Sequence, residues 1–394
     1  MNAELLISDR VKGINGSGIR RVFDMKAKMK DPIDLSIGQP DFPVPAAVKQ
    51  AAIHAIEHDL NGYTPTYGIP PLLERTARHV REDLGWNPVT TGTDGTRVLI
   101  TSGTSGALIL ACMAVLNPGD EIIIPDPWFV LYPYLANLAQ AKAVKCDTYP
   151  DFKLTAERVA KLITPRTKIV LSCSPGNPSG VVMSTKDNQD LLELCRSKGI
   201  LLLSDEIYDE FTYSESRTEK RPGTGSSVCP SPARLPGAEN TVLVVRGFGK
   251  TYGVTGWRLG YVAGPAAIVE QMAKLQQYLY VCPPGPLQHG AIACFDADMT
   301  GPLAEYERRR NMVNERLGKF TDVAMPGGAF YAFFAVPPKL GMTGEQFFML
   351  AKDHNVLCVP GHTFSTRDTH LRLSYATKLA TLEKGLDVLT KLMA

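Results

Sequence analysis

Residues 241–263, TVLVVRGFGKTYGVTGWRLGYVA, are the most informative segment of this 394-residue chain for its fold class. The segment begins with an apolar run, Thr241–Val245, and ends with a second one, Leu259–Ala263, and glycine-rich sequence joins them. Nearly continuous apolar runs of this length are typical of strands that are buried on both faces of a sheet. Lys250 follows the first run, so an amine stands just past the end of a predicted strand.

The same alternation of short apolar runs and helix-length amphipathic segments extends over most of the chain. It predicts an α/β fold with a mostly parallel sheet. The other predicted strands of that sheet are Val98–Thr101, Glu121–Ile124, Ala143–Asp147, Lys168–Ser172 and Ile200–Ser204. The predicted helices between the strands are Gly106–Leu116, Trp128–Ala139, Lys186–Lys198 and Ile268–Tyr278.

The two chain ends differ from this pattern. Met299 to Lys319 has the pattern of a long charged helix, and Ala329–Val336 and Leu371–Tyr375 have that of strands. We therefore predict a large domain over residues 46–290, and a smaller α+β domain formed by residues 1–45 and 291–394. The segment Arg217–Glu239 is rich in proline and glycine and predicts a surface excursion.

Composition and charge argue against several classes of protein. Forty-two basic and 40 acidic residues leave a net charge of +2, which provides no strong positive field for nucleic acid. The eight cysteines form no CxxC pair, so we expect no metal site and a reducing compartment. We find neither a signal peptide near the N-terminus nor an apolar run of membrane-spanning length. We therefore expect a cytoplasmic protein without a membrane partner.

Polar or glycine-rich groups follow four of the predicted strands, and open α/β sheets bind ligands at such strand ends. Gly103, Thr104 and Ser105 lie between a strand and a helix, and a helix N-terminus favours a phosphate group. Taken alone, this segment also fits an ordinary capped turn.

Two further strand ends carry side chains that can bind a ligand. Asn177 lies in a stiff loop of prolines and glycines, and Asp205 ends a buried strand three residues before Tyr208. A buried carboxylate needs a cation nearby. A tight turn and a helix-capping aspartate are the ordinary alternatives.

The lysine segment also resembles two nucleotide-binding motifs, both weakly. Gly249-Lys250-Thr251 matches the end of a P-loop, but Val244 stands where that motif requires glycine. The glycines follow the spacing GxGxxxG, whereas the dinucleotide fingerprint is GxGxxG.

Four motifs in this order resemble class I aminotransferases of pyridoxal 5'-phosphate (PLP) fold type I, especially the aspartate aminotransferase group. The motifs are SPGNPSG (174–180), SDEIYDE (204–210), GFGKTYGVTGWRLGY (247–261) and LRLSYA (371–376). The resemblance begins at LSIGQPDF (35–42) and covers nearly the whole chain.

The resemblance implies a role for each matching residue around PLP. Lys250 matches the lysine that holds the cofactor and later moves the proton, and Asp205 matches the partner of the pyridine nitrogen. Asn177 and Tyr208 match donors to the phenolic oxygen of the ring, and Arg258 matches the phosphate-binding arginine. Lys250, Asp205 and Tyr208 are thus the implied catalytic residues.

The remaining cofactor contacts are also implied by the resemblance. Gly103, Thr104 and Ser105 occupy the phosphate loop. Phe129 aligns with the aromatic residue that stacks on the ring, and Trp128 is the alternative if the register differs by one residue.

The substrate and subunit contacts complete the implied site. Arg372 matches the arginine that binds the substrate α-carboxylate, and Gly38 and Asn177 match further substrate contacts. Tyr63 matches a tyrosine that reaches the phosphate of the neighbouring subunit, which implies a homodimer with shared active sites. One departure is Gly247, which stands where many relatives have a phosphate-binding serine.

The implied activity is reversible amino transfer between an L-amino acid and a 2-oxo acid. Aspartate with 2-oxoglutarate is the leading substrate pair, and an aromatic or alanine-type aminotransferase or a PLP-dependent cysteine-S-conjugate β-lyase is the alternative. Arg20, Arg21 and residues near Tyr280 are candidates for binding the substrate side chain, and no spacing rule selects one of them.

Overall fold

A computed structural model describes residues 2–394. The strands are β1 (Ile33–Asp34), β2 (Thr96–Thr101), β3 (Glu121–Asp126), β4 (Lys142–Asp147), β5 (Thr167–Cys173), β6 (Leu201–Asp205), β7 (Glu219–Lys220), β8 (Ser227–Val228), β9 (Val242–Gly247), β10 (Gly260–Pro265), β11 (Tyr331–Ala335), β12 (Val356–Leu357), β13 (Val359–Pro360) and β14 (His370–Ser374). The α-helices are α1 (Asp9–Lys12), α2 (Gly18–Lys26), α3 (Ala46–Glu57), α4 (Pro70–Leu84), α5 (Gly103–Val115), α6 (Tyr132–Leu138), α7 (Ala156–Ala160), α8 (Thr185–Lys198), α9 (Ala266–Leu279), α10 (Gly285–Cys294), α11 (Thr300–Leu317), α12 (Gly344–Asp353) and α13 (Leu379–Met393).

A seven-stranded sheet forms the centre of the molecule, with the order β2-β10-β9-β6-β5-β3-β4. Its strands run parallel to their neighbours except β10, which is antiparallel to both β2 and β9. The predicted α/β class with a mostly parallel sheet is confirmed, and each predicted strand of this sheet is present to within two residues at either end.

Both faces of this sheet are buried, which explains the nearly continuous apolar runs. Leu202 and Val244 belong to a core cluster with α4, α8 and α10 on one face, while Leu203 and Val245 pack with α5, α6 and α9 on the other. Successive side chains of a strand point to opposite faces, so a strand covered on both faces is apolar at most of its positions.

A second core lies around residues from the two chain ends. The sheet β11-β14-β13 and the pair β1-β12 pack with α11, α12 and α13 around buried aromatic residues such as Phe330 and Phe347. This core also includes Tyr208, Phe211 and Tyr213 from the middle of the chain. The boundaries 46–290, and 1–45 with 291–394, stay a prediction.

Two local predictions differ from the structure. Helix α6 begins at Tyr132 rather than at Trp128, because Pro133 is tolerated in the first turn of a helix but not in its interior. The segment Arg217–Glu239 is a surface excursion only in its first half. Residues 228–233 are buried, and the Arg234 guanidinium binds the buried carboxylate of Asp83.

None of the helices in residues 2–394 combines the length and the apolar character needed to cross a membrane. The same residues contain no cluster of three or more His, Cys, Asp or Glu side chains placed to hold a metal ion.

Candidate active site

A cavity of about 330 Å³ lies where β2, β5, β6 and β9 end. All of the predicted site residues except Tyr63 line it. They are Gly38, Gly103, Thr104, Ser105, Phe129, Asn177, Asp205, Tyr208, Lys250, Arg258 and Arg372. The structure therefore brings together side chains from both chain ends and from the central sheet.

Lys250 supplies an amine to this cavity from the loop after β9. Its Nζ donates to the carbonyl oxygen of Gly38 at 2.6 Å. Loss of solvation, with the nearby charges of Arg372 and Arg258, lowers the pKa of Lys250 to about 8. A substantial fraction of this amine is therefore neutral at mildly alkaline pH, as a nucleophile or a general base requires.

Asp205 supplies a buried carboxylate at the end of β6. Its Oδ2 accepts a hydrogen bond from the Tyr132 hydroxyl at 2.8 Å, and its Oδ1 accepts one from the backbone N–H of Ile207 at 3.3 Å. Burial raises the pKa of Asp205 to about 6, although these hydrogen bonds favour the charged form. A cation beside Asp205 would stabilise the carboxylate further.

The N-terminus of α5 and Arg258 form a cradle of positive charge at another wall of the cavity. The N-cap residue Ser102 makes no side-chain cap, so the first N–H groups of the helix remain available. Gly103 has φ +69°, and a Cβ at this position would lie 2.9 Å from Arg258 Nη2. Such a cradle favours a phosphate group.

Arg372 is buried in β14, and one of its three guanidinium nitrogens has no hydrogen-bond partner. Its Nη1 donates to Asn177 Oδ1 and its Nη2 to the carbonyl oxygen of Ser36, each at 3.0 Å. Its Cζ lies 4.4 Å from the ring centroid of Tyr331 and 4.6 Å from that of Phe364. The buried Nε has no hydrogen-bond partner. A planar guanidinium held in this way suits a carboxylate ligand.

The family model for aminotransferase class I and II matches residues 30–389. The chain belongs to this family. It is an aminotransferase, and it acts on amino-acid and 2-oxo-acid substrates.

Full-length relatives of this aminotransferase include a putative aminotransferase, YugH, of Bacillus subtilis, which is 36% identical with 96% of each chain covered. The aromatic-amino-acid aminotransferase 2 of Thermococcus litoralis is 32% identical, covering 99% of this chain and 98% of its own. Among solved structures, a single mutant of Thermus thermophilus aspartate aminotransferase is 30% identical, with a TM-score of 0.87 and coverage of 98% and 99%.

The cavity lining bears on two assignments that the sequence left open. Phe129 lines the cavity, whereas Trp128 packs under Lys145 outside it. Arg20 and Arg21 do not line the cavity and instead pair with acidic side chains, Arg20 with Asp24 at 3.2 Å.

The cavity also contains residues that the sequence analysis missed. The tyrosines Tyr132 and Tyr331 contact Asp205 and Tyr208, and Ile19 and Phe23 of α2 line the wall. The spacing of Ile19 and Phe23, four residues apart, indicates one helix face and could have drawn attention to them. The two tyrosines reach their partners across 73 and 123 residues, so no local pattern marks them.

Proposed function

We propose that this aminotransferase binds PLP in the cavity and catalyses transamination with Lys250 as the residue that holds the cofactor. The main support for this proposal is that the Lys250 amine, the Asp205 carboxylate and the uncapped N-terminus of α5 line the same cavity. PLP needs these three groups: an amine, an anion at its ring nitrogen and a phosphate cradle.

The residues present fit this cofactor. Asp205 would pair with the pyridinium nitrogen, and Thr104, Ser105 and Arg258 would bind the phosphate with the helix N-terminus. Phe129 would cover one face of the ring. When bound, PLP supplies a ring that accepts the electron pair left when the substrate loses its Cα proton.

The chain's own residues supply binding and proton transfer. Arg372, with its free Nε and its fixed plane, would bind the substrate α-carboxylate and so orient the Cα–H bond. Lys250, with its lowered pKa, would accept the Cα proton as a general base once its amine is free, and as an ammonium it would then serve as the acid that gives the proton back. Tyr208 and Asn177 would face the phenolic side of the ring.

Aspartate with 2-oxoglutarate remains the leading substrate pair, supported by similarity to a Thermus thermophilus aspartate aminotransferase. A specific observation favours an aromatic donor as the second candidate. Three apolar side chains, those of Ile19, Phe23 and Ile37, form part of the cavity wall. Apolar walls suit an apolar or aromatic side chain better than a second carboxylate.

We also propose a homodimer in which Tyr63 completes the partner's phosphate site. Tyr63 is 89% exposed, and the neighbouring Tyr278 is 87% exposed. The two segments adjoin, since the Thr64 N–H donates to Cys282 Sγ at 3.5 Å. An exposed apolar and aromatic patch of this kind is typical of a protein interface. A cytoplasmic location stays a prediction, supported by eight cysteines that are all free thiols.

The test of the cofactor role is chemical labelling. Borohydride reduction of the PLP-loaded protein followed by peptide mapping should place the pyridoxyl group on Lys250. Lys250→Ala should abolish the label, and the exposed control Lys198→Ala should retain it. A label on another lysine would refute the assignment.

The substrate is tested with a panel of donors and acceptors. Higher kcat/KM with aspartate than with phenylalanine or tyrosine supports the leading pair, and the reverse order supports the aromatic candidate. Release of pyruvate and ammonia from a cysteine conjugate would instead indicate the β-lyase alternative.

A further inference from the structure

Tyr331 contacts three residues that the proposed mechanism uses for different purposes. Its hydroxyl lies 3.1 Å from that of Tyr208, and its ring centroid lies 4.4 Å from Arg372 Cζ. The same hydroxyl would lie 2.6 Å from a Cβ on Gly38. Tyr331 is 1% exposed, so these contacts are made away from solvent.

We propose that Tyr331 is a positioning residue for transamination, which orients the Tyr208 proton through its hydroxyl and the Arg372 guanidinium through its ring. The inference rests on the proposed PLP-dependent function.

The two hydroxyl groups of Tyr208 and Tyr331 carry one proton each, which limits the hydrogen bonds that they can donate. A tyrosine hydroxyl donates one hydrogen bond and accepts up to two, so Tyr208 can give its proton to Tyr331 or to a ligand, but not to both. When Tyr331 is the donor, the Tyr208 proton is free to point into the cavity. The opposite arrangement would leave only lone pairs on Tyr208 to face the phenolic oxygen of a bound ring. The first arrangement therefore fits a cofactor with an anionic oxygen.

The register of the small sheet places the Tyr331 ring beside Arg372. Tyr331 pairs with Ser374 in the antiparallel strands β11 and β14, two residues from Arg372. Both side chains therefore point to the same face of the sheet, at the diagonal distance that aromatic and long side chains can bridge. The Phe364 ring centroid lies 4.6 Å from the same Cζ, so two aromatic rings contact the guanidinium.

Two substitutions separate the hydroxyl from the ring. Tyr331→Phe removes only the hydroxyl, so the apparent kcat should fall about threefold to tenfold while KM stays within about twofold. The pH midpoint of the visible absorbance of the PLP-loaded protein should rise by roughly half to one pH unit, since Tyr208 no longer accepts a hydrogen bond from Tyr331 and becomes a weaker, less well oriented donor to the anionic oxygen. Tyr331→Leu also removes the stacking, and KM should then rise about threefold to thirtyfold for every donor.

Gly38 provides a suppression test that does not depend on turnover. Gly38→Ala would place a methyl group 2.6 Å from the Tyr331 hydroxyl oxygen but 3.5 Å from the next ring atom. Gly38→Ala alone should therefore lower the melting temperature of the full chain without added PLP. The double variant Gly38→Ala/Tyr331→Phe should recover most of that loss.

The outcomes distinguish the two proposals. If the wild-type protein neither binds PLP nor transaminates, both fail. If it does both, and Tyr331→Phe leaves kcat and the pH midpoint unchanged, only the role of Tyr331 is refuted. An equal rise in KM for Tyr331→Phe and Tyr331→Leu, or no suppression by the double variant, would also overturn it.

Discussion

Replacing Asp205 by asparagine should stabilise the protein without PLP while it weakens PLP binding. Burial raises the pKa of Asp205 from 3.8 to about 6, so the folded chain resists the charged form. Each tenfold change in proton affinity is worth about 1.4 kcal/mol, which makes the ionised Asp205 cost about 3 kcal/mol at neutral pH. The neutral amide can still accept the hydrogen bond from Tyr132, but its NH2 group cannot accept the one from the Ile207 N–H, so the net gain should be smaller than about 3 kcal/mol.

The sign of the pH dependence follows from the raised pKa. Below about pH 4 both folded and unfolded chains hold the Asp205 proton, and the carboxyl costs little stability. As pH rises from about 4 to 6, the unfolded chain loses this proton first, so the wild-type protein loses stability. The stability advantage of Asp205→Asn should therefore grow across this window and stay constant above about pH 7.

Urea unfolding without PLP, at one protein concentration and across this pH range, measures the advantage. The exposed control Asp94→Asn should differ from wild type by less than about 0.5 kcal/mol throughout. Saturating PLP should reverse the order, because only wild type offers an anion to the ring nitrogen. An Asp205→Asn protein less stable than wild type at pH 8, or an advantage that does not change with pH, would refute the reasoning.

Four other results are expected. Arg372→Lys should lower kcat/KM by a similar factor, roughly 10- to 1000-fold, for every donor, because a fork of donors becomes a point charge; a loss limited to dicarboxylic donors would contradict this. The rate of PLP attachment should rise with pH through about 8 as Lys250 loses its proton, and a stopped-flow rate that is flat with pH would oppose it. Mixed dimers of Lys250→Ala and Tyr63→Phe chains should keep one intact site, so mixing should restore activity; no recovery on mixing argues against shared sites. Gly247→Ser should weaken PLP binding in a fluorescence titration, since a Cβ there would meet Thr104 Cγ2 at 3.0 Å, and tighter binding would contradict the steric account.

The central sheet could be predicted from the sequence because its strands are buried on both faces. A run such as Ile200–Leu203 is apolar on both faces, and few other structures require that pattern. The direction of β10 could not be predicted in this way, because a strand buried on both faces has the same composition whether it runs parallel or antiparallel. The start of α6 was also missed, since apolar residues continue across the boundary that Pro133 imposes.

The candidate site was predictable where its residues stand in a local motif. Lys250 follows β9 and Asp205 ends β6. These strands are parallel neighbours, so their carboxyl ends lie at the same edge of the sheet. The partners of Arg372 were not predictable, because Asn177 and Ser36 lie 195 and 336 residues away in the chain. Tyr331 could not be predicted for the same reason. In the sequence its strand has only the pattern of an aromatic core strand, and the contact with Arg372 depends on the pairing of β11 with β14.

The contact between Ser36 and Arg372 has a consequence for the order in which the protein matures during translation. Ser36 leaves the ribosome early, but its carbonyl oxygen can accept the hydrogen bond from Arg372 only after a further 336 residues have been synthesised. In the same way, β1 can pair with β12 only after β12 has been synthesised. The groups that would hold PLP, from Gly103 to Arg258, are all synthesised before then. We therefore expect the part of the chain that would bind PLP to fold first during synthesis. The carboxylate-binding site around Arg372 can form only when synthesis is nearly complete.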